Sequence, residues 1–296
     1  LKQQKLPASR PNLHFRSFFQ VVFSIGFMCI AIGTALTISA KSIKEEIKDY
    51  SNYPFNQTNE IPITIKEDFN GEVFIYYQLE NYQQNYRLMV NSYDFEHFFN
   101  SKFEFNCTGQ TKEKDTEHVV PCGRMAYTMF NDTIKIRDST GEIVPFTNKN
   151  ITWPSYFTNN PENFKSVGCD AFPNTTKPES WPIHICNMSD GMQNEAFLVW
   201  MRPAARSTFR KIWMRLEHKG AYNKSLPSGD YTIIVENNYP TKRFTFKKSI
   251  VITTVNWAGG SNNFLGVAYT VVGVIIILTG IGMAFIHCRF GNQLDE

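Results

Sequence analysis

Two runs without a single charged residue, Phe18–Ala40 and Phe264–Ile286, constrain this chain more than anything else in it; each is 23 residues long. A bilayer core is crossed by about 20 apolar residues in helical form. A soluble helix of that length would show a polar face, and neither run has one. Both are therefore predicted to be transmembrane helices. "TISAK" at the end of the first run is a passable cleavage context, but the run exceeds the ~7–15 residues of a signal-peptide core. It reads as an uncleaved anchor. The predicted layout is a cytosolic tail 1–17, a helix 18–40, a lumenal domain 41–263, a helix 264–286 and a cytosolic tail 287–296.

Orientation follows from what lies between the runs. Glycosylation acceptors of the form Asn-x-Ser/Thr occur at Asn56, Asn106, Asn131, Asn150, Asn174, Asn187 and Asn223, and neither tail has one. Seven acceptors confined to one segment point to the secretory lumen. Cys107, Cys122, Cys169 and Cys186 form an even set in the same segment, as an oxidising compartment favours. Charge is less decisive. Lys2, Lys5, Arg10 and Arg16 suit a cytosolic tail, but Lys41, Lys44 and Lys48 follow the first run on the other side, tempered by Glu45, Glu46 and Asp49. Of 30 basic and 27 acidic residues, five and two lie in the tails, so the central segment holds 25 of each and is neutral.

That neutrality decides how to read "LVWMRPAARSTFRKIWMRLE" (198–217), which carries five basic residues among aromatics. A neutral lumenal domain meets no nucleic acid, and no nucleic-acid partner is expected. The stretch is predicted to be a strand ending near Met201, a break at Pro203 and a short helix from Ser207. On that helix Phe209, Ile212, Trp213 and Leu216 would face inward, with Arg210, Lys211 and Arg215 largely off that face. "GEVFIYYQL", "DTIKIRD", "NEAFLVWM", "DYTIIVEN" and "RFTFKKSIVITTV" read as strands, separated by turn formers such as "DFNG", "DSTGE", "LPSGD" and "NNYP". The fold class expected is therefore two transmembrane α-helices and a large, mainly-β lumenal domain, an antiparallel sandwich with long disulfide-tied loops. Tyr93–Phe99 is a candidate helix. Four cysteines allow three pairings. Cys107–Cys122 and Cys169–Cys186 are favoured because each closes a local loop, worth on the order of 3 kcal/mol. Cys29 and Cys288 are expected to be free thiols, Cys288 being open to palmitoylation.

Signals for catalysis are missing. There is no phosphate loop, dinucleotide fingerprint or Cys-x-x-Cys pair, and the histidines lack metal-ligand spacing. No cofactor is expected. "DSTGE" at Asp138 superficially matches the phosphorylated "DKTGT" loop of P-type ATPases, but it lacks the lysine and reads as a turn with Gly141 at its tight point. Within the membrane runs, Gly26, Gly33 and Ala40 recur every seven residues, as do Gly266, Gly273 and Gly280. Seven residues is nearly two helical turns, so each trio is one stripe of small residues suited to close helix packing. No charge lies in either run, which argues against an ion path through this chain.

From end to end the chain resembles the cell division control protein 50 family, also called the ligand-effect modulator family. The resemblance is carried by "QQKLPA" (3–8), "FNGEVFIYYQLENYQQNYRLMV" (69–90), "PCGRMAYTMFNDT" (121–133), "NEAFLVWMRPAARSTFRKIWMR" (194–215), "LPSGDY", "NNYP" and "WAGGSNNFLGVAY" (257–269). It implies a non-catalytic accessory, or beta, subunit of a type-IV P-type ATPase, the phospholipid flippases. It implies a heterodimeric 1:1 partnership with that ATPase, in contact with membrane lipids. Its location would be the endoplasmic reticulum, the Golgi and endosomes, or the plasma membrane. It further implies that Cys122, in "PCG", pairs with Cys107, that "FNDT" carries a glycan on Asn131, and that "FLVWMR" is a strand followed by a helix "TFRKIWMR". The chain lacks the extra cysteine group that some members have near the first span. The glycine stripes are the candidate contact with the partner's helices, and the basic tail would dock on anionic headgroups or on the partner. The rival reading is a two-span ligand-gated channel subunit, which would carry more lumenal cysteines and a polar stripe lining the pore.

Overall fold

A computed structural model describes residues 15–92, 118–153, 169, 174–188, 190–241 and 246–290. The chain forms two units: one from both ends, up to Ile43 and from Asn256 onward, and the other Lys44–Val255.

The first unit is a pair of helices, Phe15–Lys41 and Phe264–Phe290, of 27 residues each. At 1.5 Å per residue each is about 40 Å long, enough to cross a bilayer core. Only 11% and 17% of their most apolar stretches are buried. A soluble protein leaves no apolar surface of that extent open to water, so these helices are built for lipid.

The two helices meet along the glycines. A methyl group at Gly33 would lie 2.7 Å from the Thr270 backbone nitrogen and 2.8 Å from the Gly266 carbonyl oxygen; one at Gly273 would lie 2.8 Å from the Gly26 carbonyl oxygen. At Gly266 it would meet the Thr37 nitrogen at 2.9 Å, and at Gly280 Val22 Cγ1 at 3.2 Å. Ala40 is buried as well. Thr37 and Thr270 turn their hydroxyls back to the Gly33 and Gly266 carbonyls of their own helices, at 2.8 and 2.9 Å, so both hydroxyl donors are satisfied within the pair. This corrects the expectation that Gly26, Gly33, Gly266, Gly273 and Gly280 serve an outside helix. Each stripe faces the other, because in lipid the gain comes from close backbone packing and a second small stripe is the best surface on offer.

Among the described residues the second unit holds twelve strands. They are β1 Glu45–Asp49, β2 Thr58–Ile65, β3 Phe69–Asn70, β4 Val73–Glu80, β5 His118–Val119, β6 Thr133–Arg137, β7 Phe146–Thr147, β8 Thr175–Thr176, β9 Phe209–Leu216, β10 Ser225–Leu226, β11 Gly229–Glu236 and β12 Lys247–Thr254. A five-stranded sheet runs β1-β12-β4-β9-β7 and a three-stranded sheet β2-β11-β6, every pair antiparallel. Strand β2 alternates strictly, burying Ile61, Ile63 and Ile65 and exposing the residues between. Strands β4 and β12 are covered on nearly all positions, as central strands are. Ile61, Ile233 and Ile134 from the small sheet join Ile75, Leu79 and Ile252 from the large one in a single core. The domain is thus an antiparallel sandwich. Inside it Tyr77 stacks on Phe130 at 4.0 Å, with Trp200 and Trp213 around them.

The stretch 198–217 inverts the expectation. Glu195–Met201 is a helix and Phe209–Leu216 is strand β9. Asn194 caps the helix, accepting from the Phe197 amide at 3.0 Å. Pro203, two residues past the end, stops it. All of Ala196, Phe197, Leu198, Trp200 and Met201 are buried, so the segment shows no helical period, and a short, wholly apolar run does not distinguish helix from strand. The strand misleads for the opposite reason. Its pairing with β4 shifts register between Ile75 and Tyr76, which face Met214 and Ile212 and leave Trp213 without a partner residue. That bulge gives Phe209, Trp213 and Leu216 a spacing of four and three, the signature of a helix face. The candidate helix Tyr93–Phe99 lies outside the described residues.

Gly123 of "PCG" has φ 99°, a region that side chains rarely adopt, and a Cβ there would lie 2.3 Å from the Ser92 carbonyl oxygen. Only glycine fits.

Candidate functional site

The motif segments that lie far apart in sequence converge on one buried lysine. Lys248 of β12 has no exposed side-chain surface, and neither does Asp132 of "FNDT", whose carboxylate sits 2.7 Å from the ammonium. Lys248 also donates to Asn237 Oδ1 at 2.5 Å and to the Tyr239 carbonyl at 2.7 Å, both from "NNYP". All three ammonium hydrogens are therefore placed. Asp132 in turn accepts from Tyr50 Oη at 2.8 Å and from the Asn238 and Tyr239 amides at 2.6 Å each. Burial pushes the Lys248 pKa down, opposed by Asp132, and burial followed by the Asp132 charge holds the Tyr50 hydroxyl well above its usual value. A satisfied, buried network of this kind fixes geometry; it presents no reactive group to solvent. The sequence signal was a lysine pair, Lys247 and Lys248, leading into the strand run "SIVITT", and reading by strand propensity missed that the second of them points inward.

A second buried lysine, Lys211 of β9, is 7% exposed and donates to the Trp200 and Arg202 carbonyls at the end of the helix Glu195–Met201. It also lies 4.7 Å over the Trp200 ring. A cation at a helix carboxyl end is favoured by the dipole and satisfies orphan carbonyls. Burial, then Arg202, pushes its pKa well below the usual lysine value. Arg210 forks onto Glu45 at 2.7 and 3.0 Å and reaches Gln78 at 2.6 Å. Two of the five basic groups in 198–217 are thus spent inside the fold or across the sheet.

"DSTGE" is a turn. Asp138 accepts from the Thr140 and Glu142 amides at 2.9 and 3.0 Å, from Thr140 Oγ1 at 2.6 Å, and from Tyr222 Oη at 2.7 Å, with Gly141 at φ 93°. The Thr140 and Tyr222 hydroxyls lower the carboxyl pKa to about 2. A carboxylate with a depressed folded pKa contributes stability that is complete above its unfolded value and lost as pH falls through the folded one. The thermal stability difference between the natural chain and Asp138→Asn is therefore expected to be constant from neutral down to about pH 4. It should then vanish toward pH about 2. A difference that disappears between pH 7 and 5 in paired melting curves would refute this.

The remaining predicted site residues are distributed over the surface. Asn56, Asn150, Asn174, Asn187 and Asn223 are exposed, the first three in left-handed backbone at φ 58°, 57° and 53°. Asn131 is half-buried and donates to the Ser180 carbonyl at 3.4 Å, while Asn106 lies outside the described residues. Cys169 and Cys186 are bridged, Cys122 is disulfide-bonded, and Cys107 lies outside the described residues. Cys29 and Cys288 are free thiols. Among the described residues no cluster of three His, Cys, Asp or Glu has the arrangement to hold a metal ion.

Fold and site together define a class: a two-span membrane protein whose large antiparallel sandwich is organised by a buried ion pair, a second buried lysine and aromatic packing. A profile of the LEM3 (ligand-effect modulator 3) / CDC50 family matches residues 20–293. The chain belongs to this family. It is 33% identical to cell cycle control protein 50C of Macaca fascicularis, over 99% of this chain and 93% of that one. It is 32% identical to cell cycle control protein 50A of Bos taurus, over 99% and 89%. Putative ALA-interacting subunit 4 of Arabidopsis thaliana is 29% identical, over 99% and 90%.

Proposed function

We propose that this chain is the non-catalytic accessory subunit of a type-IV P-type ATPase that moves phospholipid from the outer or lumenal leaflet to the cytosolic one. Family membership over nearly the whole length carries this reading, and one relative bears the name of an interacting subunit. The architecture supports it, since the polar clusters of the β domain are turned inward and spent on holding shape. The seven acceptors and the Cys169–Cys186 bridge support a lumenal β domain with both ends of the chain cytosolic. In this reading the subunit caps the partner's lumenal loops, packs its spans beside the partner's helices, and accompanies the partner out of the endoplasmic reticulum. A subunit that binds one state of the ATPase cycle more tightly than another shifts that equilibrium by the difference in binding free energy. A few kcal/mol suffices to reverse a population.

Affinity purification in mild detergent followed by mass spectrometry is expected to recover a roughly 1:1 complex with a much larger ATPase. Recovery as a homotrimer that passes cation current would replace this reading with the channel.

A further inference from the structure

The outer side of the five-stranded sheet holds a cavity of about 450 Å³. That lies within the ~300–1,000 Å³ of pockets that hold small organic ligands. Tyr76 and Ile212 of the sheet line it together with Leu198, Pro203, Arg202 and Trp153. Trp153 is 65% exposed, with the Arg202 guanidinium 5.8 Å over its ring. An exposed tryptophan at an aliphatic hollow with one guanidinium beside it is the kind of surface that seats a small amphipathic group.

That group is indicated by the chain itself. Ile151 and Thr152, the second and third residues of the acceptor Asn150-Ile151-Thr152, line this same cavity, and Trp153 follows directly. The acceptor is also held rigidly. The Glu195 carboxylate takes the amides of Asn150, Ile151 and Thr152 at 2.6, 2.7 and 2.9 Å and the Thr152 hydroxyl at 3.0 Å. Asn150, the residue directly before the lining residues Ile151 and Thr152, stands exposed at φ 57°. We propose that the cavity seats the glycan of Asn150, whose first sugars fold back over Trp153 instead of extending into solvent. A pyranose ring has an apolar C–H face and a polar hydroxyl edge. The indole and the aliphatic wall match the face, and the Arg202 guanidinium matches the edge. A small anion is the weaker candidate: of the lining cations, Arg210 is committed to Glu45 and Lys211 to two carbonyls.

The inference rests on the lumenal orientation proposed above, and one experiment separates the two. The full chain with its partner is produced in cells that leave high-mannose glycans untrimmed, then digested under native conditions with an endoglycosidase and followed by glycopeptide mass spectrometry. Release from Asn150 is expected to be about tenfold slower than from the exposed Asn223, because the enzyme acts on the undocked minority. Trp153→Ala, a change at an exposed position that leaves the core intact, is expected to bring Asn150 up to the Asn223 rate. Equal rates in the natural chain, or an unmodified Asn150 beside a modified Asn223, would overturn the docked glycan while leaving the orientation standing. An absence of sugar on every acceptor would overturn both.

Discussion

Replacing Asp132 with alanine is expected to destabilise the β domain by about 3–5 kcal/mol, the cost of stranding a buried charge. Lys248 would keep two neutral acceptors, Asn237 and Tyr239, but lose its only counter-charge within 4 Å among the described residues. The Tyr50 hydroxyl and the Asn238 and Tyr239 amides would lose their acceptor in the same step. For a domain of this size the loss corresponds to a fall in Tm of roughly 10 °C. Lys248→Met added to Asp132→Ala should recover part of it, since removing both charges costs less than removing one. Urea unfolding of the purified chain in detergent, followed by tryptophan emission, measures all three. A single variant within about 1 kcal/mol of the natural chain would show that the pair does not hold the "FNDT" and "NNYP" segments together.

Gly273→Leu carries the second large effect. Its Cβ alone would approach Ile30 Cγ1 to 2.7 Å, the Gly26 carbonyl oxygen to 2.8 Å and the Ile30 nitrogen to 3.0 Å. Two of those three are backbone atoms, which side-chain rotation does not move, so the helices must separate. Cysteines introduced at Val22 and Gly280, which are in contact across the pair, report the separation by disulfide formation in membranes. Cross-linking is expected to fall about tenfold, matching an overpacking cost of roughly 1–3 kcal/mol, with the β domain still folded. Association with an outside partner would weaken only as a consequence of the splayed pair. Loss of partner binding with cross-linking unchanged would return the stripe to the outer surface.

Much of this protein is written in local pattern. Two uncharged runs announce two membrane helices because a bilayer offers no partner to a charge or an open backbone group. The alternation of β2 and the apolar blocks of β4 and β12 announce a sandwich, because a sheet must bury a face. Gly141 and the side chain of Asp138 announce a turn within five residues. In each case the determining interaction is with solvent or with a close neighbour along the chain.

Where the determining contact is remote, local pattern misleads. The bulge at Trp213 belongs to the pairing of β9 with β4, and it turned a strand's spacing into a helix's. The apolar run "AFLVWM" became a helix because Asn194 caps it and Lys211, from the next strand, takes the Trp200 and Arg202 carbonyls at its end. The glycine stripes predicted close packing, yet only the fold shows that each stripe is the other's partner. Lys248 is an exposed-looking lysine until Asp132, 116 residues away, is set beside it. The sequence by itself determined the solvent each segment must face and hence the two membrane helices and the mainly-β class. Tertiary structure decided which distant groups neutralise one another, because the worth of a buried charge or a missing side chain is set by what lies across the contact.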